Sequence, residues 1–224
     1  MSVAPVWSIV VAGGSGRRFG HLKQFSDLAG RPVVEWAVQA CRPCSAGVVL
    51  VLPDPATQGA EALDPHGADL VVPGGGTRAD SVRCGLTAVP DDAAVILVHD
   101  AARPLASPDL FAAVIAAVTD GGADGAVPGV PPSDTIKTVD ESGRVTGTLD
   151  RASLVAVQTP QAFRAGVLRR AHDGAPVTGA TDDAMLVESM GGAVHVVPGE
   201  PGNLKITNPD DLAAAERLLA ARPR

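Results

Sequence analysis

Continuous apolar runs alternate along this chain with stretches in which apolar residues recur at helical spacing. The runs at residues 47–52 and 93–98 have no polar interruption, which is typical of strands buried on both faces of a sheet. Further strands are predicted at residues 7–11, 68–72, 126–130, 155–157 and 193–197. Helices are predicted at residues 32–40, 54–63, 77–89, 107–118, 164–172, 181–190 and 208–221. Because the two kinds of element alternate with short connections, the pattern predicts a three-layer, mainly parallel α/β sheet.

Residues 131–153 interrupt this alternation. Two segments that alternate polar and apolar residues, 135–139 and 145–149, flank a turn and predict a β-hairpin arm. A projecting arm with an apolar face needs a partner, and we expect a second copy of the chain. A hairpin packed on its own domain is the alternative. Without an internal repeat or a long linker, the sequence predicts a single domain, residues 1–224, with an arm at 131–153 used for dimerisation.

The first predicted strand leads into a glycine-rich, basic segment. Gly13, Gly14 and Gly16 allow the backbone to approach a ligand closely, and their N–H groups can converge on an anion. The cations that follow are Arg17, Arg18 and Lys23. Guanidinium groups and ammonium groups both bind phosphate. The segment therefore predicts a phosphate-binding loop.

This loop matches neither of two common nucleotide-binding motifs. The dinucleotide motif needs a small residue where Phe19 stands, and Glu35, at about the distance of a ribose-binding carboxylate, lies in a predicted helix. The Gly-Lys-Ser/Thr triplet of the P-loop is absent. These mismatches argue against a dehydrogenase. A plain strand-to-helix turn with surface arginines is the alternative that involves no ligand.

Charge, cysteine spacing and the lengths of apolar runs restrict the kinds of partner and the location expected for this protein. A net charge of -7 at pH 7 argues against a nucleic-acid partner, whereas a small anionic ligand needs only a local basic pocket. Cys41 and Cys44 have the spacing of one half of a zinc site, but no second Cys/His pair matches them, so three free thiols are expected. The chain shows neither a signal-peptide pattern nor an apolar run long enough for a membrane span. We therefore expect a cytoplasmic protein without a membrane partner.

Several polar residues follow the predicted strands, where ligands bind in sheets of this kind. Asp100 and Arg103 follow the strand at 93–98, and Thr159 follows the strand at 155–157. Arg78 and Ser81 share one face of the helix after the strand at 68–72. Basic residues around a single aspartate fit a polyphosphate with a divalent cation. Each also has a structural alternative, such as a turn residue for Asp100 and a surface cation for Arg103.

Several segments together give the chain a family resemblance. Val11-Ala12-Gly13-Gly14-Ser15-Gly16-Arg17-Arg18-Phe19-Gly20 with Lys23-Gln24-Phe25 is similar to the signature loop of sugar- and alditol-phosphate nucleotidyltransferases. Val98-His99-Asp100-Ala101-Ala102-Arg103-Pro104 narrows the resemblance to cytidylyltransferases. The segments at 74–82, 134–137, 158–161, 181–184 and 203–207 follow in the family's order. Over nearly its whole length the chain resembles the 2-C-methyl-D-erythritol 4-phosphate cytidylyltransferases of the non-mevalonate isoprenoid pathway, which implies a Rossmann-like nucleotidyltransferase fold.

The resemblance implies a role for individual positions. Arg18 and Lys23 correspond to the family's catalytic pair, which stabilises charge on the α-phosphate and its leaving group. The positions implied to bind CTP are Ala12, Gly13, Gly14, Ser15, Gly16, Arg17, Gly75, Arg78, Ser81, Asp100 and Ala101. Those implied to bind the acceptor are Arg103, Thr135, Arg151, Thr159, Thr181 and Lys205. Thr135 and Arg151 lie on the arm and are implied to serve the neighbouring subunit's site. The implied cofactor is Mg²⁺ or another divalent cation, held mainly by the CTP phosphates and near Asp100.

Three further positions affect the roles that the resemblance implies. Gly76 stands where many family members have Asp, which removes one implied contact to the base or ribose. Asp183 stands where many have Glu, which keeps the charge. His99, at the end of its strand, is expected to be structural and not catalytic.

The implied reaction is transfer of CMP from CTP to 2-C-methyl-D-erythritol 4-phosphate. The acceptor phosphate attacks the α-phosphorus in line, giving 4-diphosphocytidyl-2-C-methyl-D-erythritol and pyrophosphate. Because a phosphate monoester is already anionic, no strong general base is needed, which agrees with the absence of a Ser-His-Asp or paired-carboxylate pattern. Two alternatives stay open: a ribitol-5-phosphate cytidylyltransferase, and a non-catalytic CTP-binding regulator, against which Arg18 and Lys23 argue.

Overall fold

The computed structural model describes residues 5–13, 22–54, 64–174 and 180–221. Its strands are β1 (Val6–Val11), β2 (Asp27–Leu28), β3 (Arg31–Pro32), β4 (Gly47–Leu52), β5 (Leu70–Pro73), β6 (Val95–Asp100), β7 (Gly125–Val130), β8 (Lys137–Val139), β9 (Val145–Thr148), β10 (Ala156–Val157), β11 (Gln161–Arg164) and β12 (Val194–Pro198). Its α-helices are α1 (Val33–Cys41), α2 (Arg78–Ala88), α3 (Pro108–Thr119), α4 (Ala165–Asp173), α5 (Asp183–Ser189) and α6 (Pro209–Ala220). The helix predicted at 54–63 lies largely outside the described residues.

A central eight-stranded sheet has the order β10-β7-β11-β6-β1-β4-β5, with β12 paired to β7. The pairs of β1 with β4 and β6, of β4 with β5, and of β7 with β12 are parallel. β11 is antiparallel to both β6 and β7, and β10 is antiparallel to β7. The mainly parallel sheet is confirmed. The antiparallel strand β11 was not predicted, since its residues were assigned to a loop and the start of a helix.

Helices cover both faces of this sheet. Val10 and Leu50 belong to the apolar cluster with α1 and α3, whereas Ile9 and Val49 belong to the cluster with α2, α4 and α5. Because successive residues of a strand point to opposite faces, one continuous apolar run packs against the helices on both faces of the sheet. Each fully buried large aliphatic side chain contributes roughly 1.5–3 kcal/mol to folding. The predicted three-layer arrangement is therefore confirmed.

Helices α2 and α3 are capped by the residues at which the sequence predicts them to begin. Thr77 and Asp80 form a reciprocal capping box at α2, and the hydroxyl of Ser107 accepts a hydrogen bond from the N–H of Leu110 at α3. A cap of this kind contributes about 1 kcal/mol. At α5 the cap is Asp182, whose carboxylate accepts the N–H of Met185, so Thr181 is not the cap.

The predicted arm is a two-stranded hairpin of β8 and β9. The Asp140 carboxylate accepts the N–H groups of Ser142 and Arg144 and closes the turn. Val139 and Val145 are more than half exposed, at 59% and 55%. The hairpin is confirmed, and its use in dimerisation stays a prediction.

Two smaller expectations can be compared with the structure. All three cysteines are free thiols, as predicted. Burial raises the pKa of both Cys41 and Cys44. Among the described residues, no helix has the length and apolarity needed to cross a bilayer.

Candidate active site

The predicted phosphate loop begins where β1 ends. The main chain of Ala12 extends the sheet, because its N–H donates to the Val51 carbonyl (2.8 Å) and its own carbonyl accepts Gln24 Nε2 (2.8 Å). Ala101 donates its N–H to the Val11 carbonyl at 3.0 Å, so both strand ends lie side by side. The loop positions Gly14, Ser15, Gly16, Arg17 and Arg18 lie outside the described residues.

The turn between β5 and α2 lies against the start of this loop. The Ser81 hydroxyl donates to the Thr77 carbonyl (3.0 Å) and accepts the Gly75 N–H (3.2 Å). A Cβ at Gly13 would stand 3.0 Å from Ser81 Oγ, and a Cβ at Gly75 would clash with Asp80. Close packing therefore requires glycine at position 75, whereas a side chain at position 13 would need Ser81 to shift slightly. Gly76 is less tightly packed, because a Cβ added there would lie 3.8 Å from its nearest neighbour, Asp80 Oδ2. The Cβ of an aspartate would therefore fit at this position.

Asp100 is the centre of the polar cluster at the end of β6. Its Oδ1 accepts Arg78 Nε at 3.3 Å, and its Oδ2 accepts Lys205 Nζ at 2.6 Å. These residues come from three distant parts of the chain, as the family resemblance implied. The structure therefore brings one position implied to bind CTP, one position implied to bind the acceptor and the carboxylate implied to lie near the metal into direct contact.

Arg78 has a second carboxylate partner that lies deeper in the protein. Its Nη1 donates to Asp183 Oδ2 at 2.7 Å, and Asp183 Oδ1 lies 2.9 Å from His172 Nε2. The side chains of His172 and Asp183 are each only 1% exposed. Arg78 Nη2 is buried and has no hydrogen-bond partner among the described residues. Two ion pairs therefore fix the direction of the guanidinium group.

Arg103 lies beside this cluster and forms no ion pair with a carboxylate of the described residues. Its Nη1 donates to the Asn203 carbonyl at 2.7 Å and its Nη2 to the Val157 carbonyl at 3.4 Å. Asn203 is fully buried, and its amide donates to the Thr159 carbonyl at 2.9 Å. Asn203 thus connects the segment that carries Lys205 with the turn that carries Thr159.

Lys23 reaches the same corner of the fold. Its Nζ donates to the Ile206 carbonyl at 2.7 Å, and the Ile206 N–H donates to the Ala102 carbonyl at 2.8 Å. Ile206 is fully buried and anchors the segment next to Lys205. An ammonium group has three donors, so Nζ can hold this carbonyl and still contact a phosphate.

A cavity of about 220 Å³ opens over these residues. Its lining residues are Arg78, Asp100, Arg103, Val157, Gln158, Thr159, Gln161, Thr181, Asp182 and Lys205. Three of them are cations and two are carboxylates, in a chain whose net charge is -7. The expected local basic pocket in an acidic protein is present, and such a pocket favours anionic ligands.

The charges in this cavity are stabilised by one another. Burial opposes ionisation of Asp100, but Arg78 and Lys205 outweigh it and hold the pKa of Asp100 well below its usual value. Burial also opposes ionisation of Asp183, and His172 and Arg78 likewise keep its pKa low. The same carboxylates raise the pKa of Arg78 against the effect of its burial. All three groups are therefore charged at neutral pH.

The arm residues are separate from this cavity within one chain. Thr135 and Arg151 are both exposed, and Arg151 Nη1 donates to the Ser133 carbonyl at 3.1 Å. Across the described part of the chain, no hydrogen bond or ion pair connects either residue to Asp100. Their implied contribution to a neighbouring site stays a prediction.

Several residues of the cluster were not predicted as site residues. Gln158, Gln161 and Asn203 lie inside segments that carry the family resemblance, so their positions were marked but their contacts were not. Gln161 Nε2 donates to Asp182 Oδ2 at 2.8 Å and thereby holds the start of α5. His172 had no signal in the sequence, because its partner Asp183 lies on another helix.

Comparisons with known proteins agree with this geometry. The family model described as 2-C-methyl-D-erythritol 4-phosphate cytidylyltransferase matches residues 6–221. A relative of that name from Rubrobacter xylanophilus is 44% identical over 223 residues, covering 97% of this chain and 96% of the relative. One from Rhodococcus jostii is 46% identical over 219 residues, covering 96% and 95%.

The solved structure of the Thermus thermophilus 2-C-methyl-D-erythritol 4-phosphate cytidylyltransferase superposes with a TM-score of 0.77. It is 34% identical in sequence, and the match covers 95% of this chain and 98% of the other. Sequence and fold therefore agree over nearly the whole length. This chain belongs to the 2-C-methyl-D-erythritol 4-phosphate cytidylyltransferase family.

Proposed function

We propose that the cavity around Asp100 is where this cytidylyltransferase transfers CMP from CTP to 2-C-methyl-D-erythritol 4-phosphate. One observation carries the assignment of the site. Arg78, Asp100, Thr159 and Lys205, from four separate segments, line the same cavity at the carboxyl end of the sheet. Nucleotides bind at this edge in open α/β sheets. The convergence of residues implied to bind CTP with residues implied to bind the acceptor supports a site that holds both substrates.

In the proposed reaction, an oxygen of the acceptor phosphate forms a bond to the α-phosphorus of CTP. The bond from that phosphorus to the oxygen shared with the β-phosphate breaks, and pyrophosphate leaves with the electron pair. Bringing two anions together is the main electrostatic cost, and aligned cations reduce it. Lys23 and Arg18 are proposed to stabilise the charge at the α-phosphate, and Lys205 and Arg103 to orient the acceptor. The described position of Lys23 beside the Lys205 segment supports this division of roles.

A divalent cation is part of the proposal. The described residues contain no group of three or more His, Cys, Asp or Glu side chains suited to hold a metal by themselves. Mg²⁺ commonly binds through one or two carboxylates together with substrate phosphates. Asp100 fits this need, since it is ionised, lines the cavity and has lone pairs beyond those used by Arg78 and Lys205. The cation would neutralise phosphate charge when CTP binds.

The arm is proposed to form a homodimer. Val139, Val145 and Leu149 on the arm are exposed, at 59%, 55% and 43%. Val155 and Val196 are also exposed and lie against Gly129, where an added Cβ would stand within 3 Å of either side chain. These apolar surfaces support a partner subunit, and the family resemblance implies that this partner is a second copy of the chain. The cytoplasmic location expected from the sequence stays a prediction.

The proposed function is tested by measuring pyrophosphate release with CTP, Mg²⁺ and a panel of acceptors. We expect turnover with 2-C-methyl-D-erythritol 4-phosphate and at least a hundredfold lower kcat/KM with ribitol 5-phosphate, a difference of about 3 kcal/mol. ATP, GTP and UTP in place of CTP test the nucleotide. Preferential use of ribitol 5-phosphate would support the alternative acceptor. CTP binding without pyrophosphate release from any acceptor would support a non-catalytic regulator.

A further inference from the structure

Arg78 is paired with a buried carboxylate and a buried histidine that lie outside the cavity lining. Asp183 Oδ2 accepts Arg78 Nη1 at 2.7 Å, and Asp183 Oδ1 lies 2.9 Å from His172 Nε2. His172 belongs to α4, Asp183 begins α5 and Arg78 begins α2. Of these three residues, only Arg78 lines the cavity. Three helices on one face of the sheet therefore meet through a chain of contacts that ends at the cavity.

The direction of the hydrogen bond between His172 and Asp183 follows from the charge of the carboxylate. Burial opposes ionisation of Asp183, but the hydrogen bond from His172 and the charge of Arg78 keep its pKa low. An ionised carboxylate only accepts hydrogen bonds, so His172 Nε2 donates to Oδ1. The two oxygens belong to one planar group. A hydrogen bond that fixes Oδ1 therefore also fixes the position at which Oδ2 meets Arg78.

Arg78 needs such support because of its place in the chain. It is the first residue of α2, and the helix dipole disfavours a cation at the N-terminus of a helix. Two carboxylates offset this effect, Asp183 through Nη1 at 2.7 Å and Asp100 through Nε at 3.3 Å. The Asp183 side chain is 1% exposed, compared with 12% for Asp100. The shorter and more deeply buried contact, with Asp183, is the one that sets the direction of the guanidinium group.

We propose that His172 and Asp183 are positioning residues for cytidylyl transfer, which hold Arg78 in the direction that meets both Asp100 and CTP. Their effect on the reaction passes through Arg78, since neither of them lines the cavity. This inference rests on the proposed function, which places CTP in the cavity next to Arg78. It assigns a role to His172, a residue of α4 that belongs to no motif in the sequence.

A merely structural role for His172 predicts a different result. Loss of a buried contact then lowers stability, while the folded protein keeps its affinity for CTP. Leu168 is the matched control for this possibility, because it lies on the same helix, is fully buried and belongs to the apolar cluster on this face of the sheet. Leu168→Ala should lower the midpoint of urea unfolding and leave KM for CTP unchanged.

The first test compares His172→Leu, His172→Gln and Leu168→Ala in CTP binding and steady-state kinetics. For His172→Leu we expect Kd and KM for CTP to rise about fivefold, through loss of one hydrogen bond to a charged group. KM for the acceptor should change less than about twofold, because Lys205 keeps its own contact with Asp100. His172→Gln supplies an amide donor and should recover most of the affinity.

Two outcomes of this comparison would overturn the proposal. One is an unchanged affinity for CTP in His172→Leu, and the other is an equal loss of affinity in Leu168→Ala. His172→Asn provides the same comparison if His172→Leu does not fold, because its shorter amide lies farther from Asp183.

A double-mutant cycle tests whether the effect passes through Arg78. In the Arg78→Met protein, His172→Leu should change Kd for CTP by less than about twofold further, because the group that it positions is already absent. An additive rise of about fivefold in the double variant would show that His172 acts by another route and would contradict the proposal.

A further measurement does not depend on turnover. In ¹⁵N NMR of the whole protein, the Nε–H resonance of Arg78 should shift in His172→Leu and keep its wild-type position in Leu168→Ala. A resonance that ignores His172→Leu would contradict the inference. If the wild-type protein releases no pyrophosphate with any acceptor but shows this NMR pattern, the proposed function fails while the positioning of Arg78 stands.

Discussion

Arg78 Nη1 lies 2.7 Å from the carboxylate of Asp183, a residue that is almost completely buried. The guanidinium group also contacts Asp100, so one cation serves a deep carboxylate and a cavity carboxylate at once. Buried ion pairs do not necessarily stabilise a fold, but removal of one partner leaves the other charge without compensation. Arg78 is therefore required both for the shape of the site and for the stability of its surroundings.

This relationship predicts the effect of Arg78→Met. We expect the free energy of unfolding to fall by about 2 kcal/mol, because Asp183 loses its cation in a buried position. The Kd for CTP, measured by calorimetry, should rise about tenfold or more through loss of a charged hydrogen bond. Arg83→Met on the same helix is the control, since Arg83 forms an exposed ion pair with Asp80. It should change the unfolding free energy by less than about 0.5 kcal/mol. Equal effects of the two substitutions would refute this account of Arg78.

The buried imidazole of His99 predicts a pH dependence of stability. Burial lowers the pKa of His99 from 6.5 to about 4, so the ring is neutral in the folded protein. Between pH 6.5 and 4 the unfolded chain binds a proton that the folded chain does not, so stability falls as the pH is lowered. The full contribution, about 3 kcal/mol, is present above pH 6.5 and is lost by pH 4.

Urea unfolding at pH 7, 5.5 and 4.5 measures this dependence. His99→Asn should be less stable at pH 7 and should show a shallower pH slope in this window. Asp100 and Asp183 do not add to the slope there, because their pKa values are lowered from 3.8 and their contribution is lost only below that value. An unchanged slope in His99→Asn would show that another group causes the acid sensitivity.

The arm predicts that two inactive variants restore each other's activity. Lys23→Ala removes a proposed catalytic group from its own site, and Arg151→Ala removes an arm residue proposed to serve the neighbouring site. In a mixed dimer, one site keeps both groups. Random exchange of subunits should therefore restore about a quarter of the wild-type activity.

Measurement of the molecular mass in solution should show a dimer. Val145→Glu should weaken this dimer, whereas Leu218→Glu, on an exposed part of α6, should not. A fully active monomer would contradict the role of Thr135 and Arg151.

Much of the fold follows from local patterns in the sequence. The six residues of β4 are all buried. An uninterrupted apolar run of that length in an α/β chain is typical of a strand that is covered on both faces. Thr77, Ser107 and Asn208 each cap a helix at the predicted position. These features depend on neighbouring residues only. β11 was missed for the converse reason, because Gln161–Arg164 becomes a strand through pairing with β6 and β7.

The sequence predicted which residues form the site better than it predicted their contacts with one another. Arg78 and Asp100 were identified from their positions after predicted strands, and Lys205 was identified by the family resemblance. The topology explains why these strand ends meet. The partner of Arg78 was not predictable, since Asp183 lies 105 residues away and His172 supports it from a third helix. The partners of a buried charge depend on tertiary packing, and the hydrophobic periodicity of a local segment does not predict them. The same holds for Thr159, whose hydroxyl oxygen lies 3.0 Å from Nδ1 of His99, a residue 60 positions away in the chain.

The central claim is that cytidylyl transfer takes place at the cavity next to Lys23. The most direct test is single-turnover transfer from CTP to 2-C-methyl-D-erythritol 4-phosphate by Lys23→Ala, with CTP binding measured on the same preparation. The account predicts that CTP still binds, because other groups are proposed to contact the nucleotide, and that the rate of transfer falls on the order of 100-fold through loss of transition-state charge stabilisation. Near-normal transfer by Lys23→Ala would contradict the account.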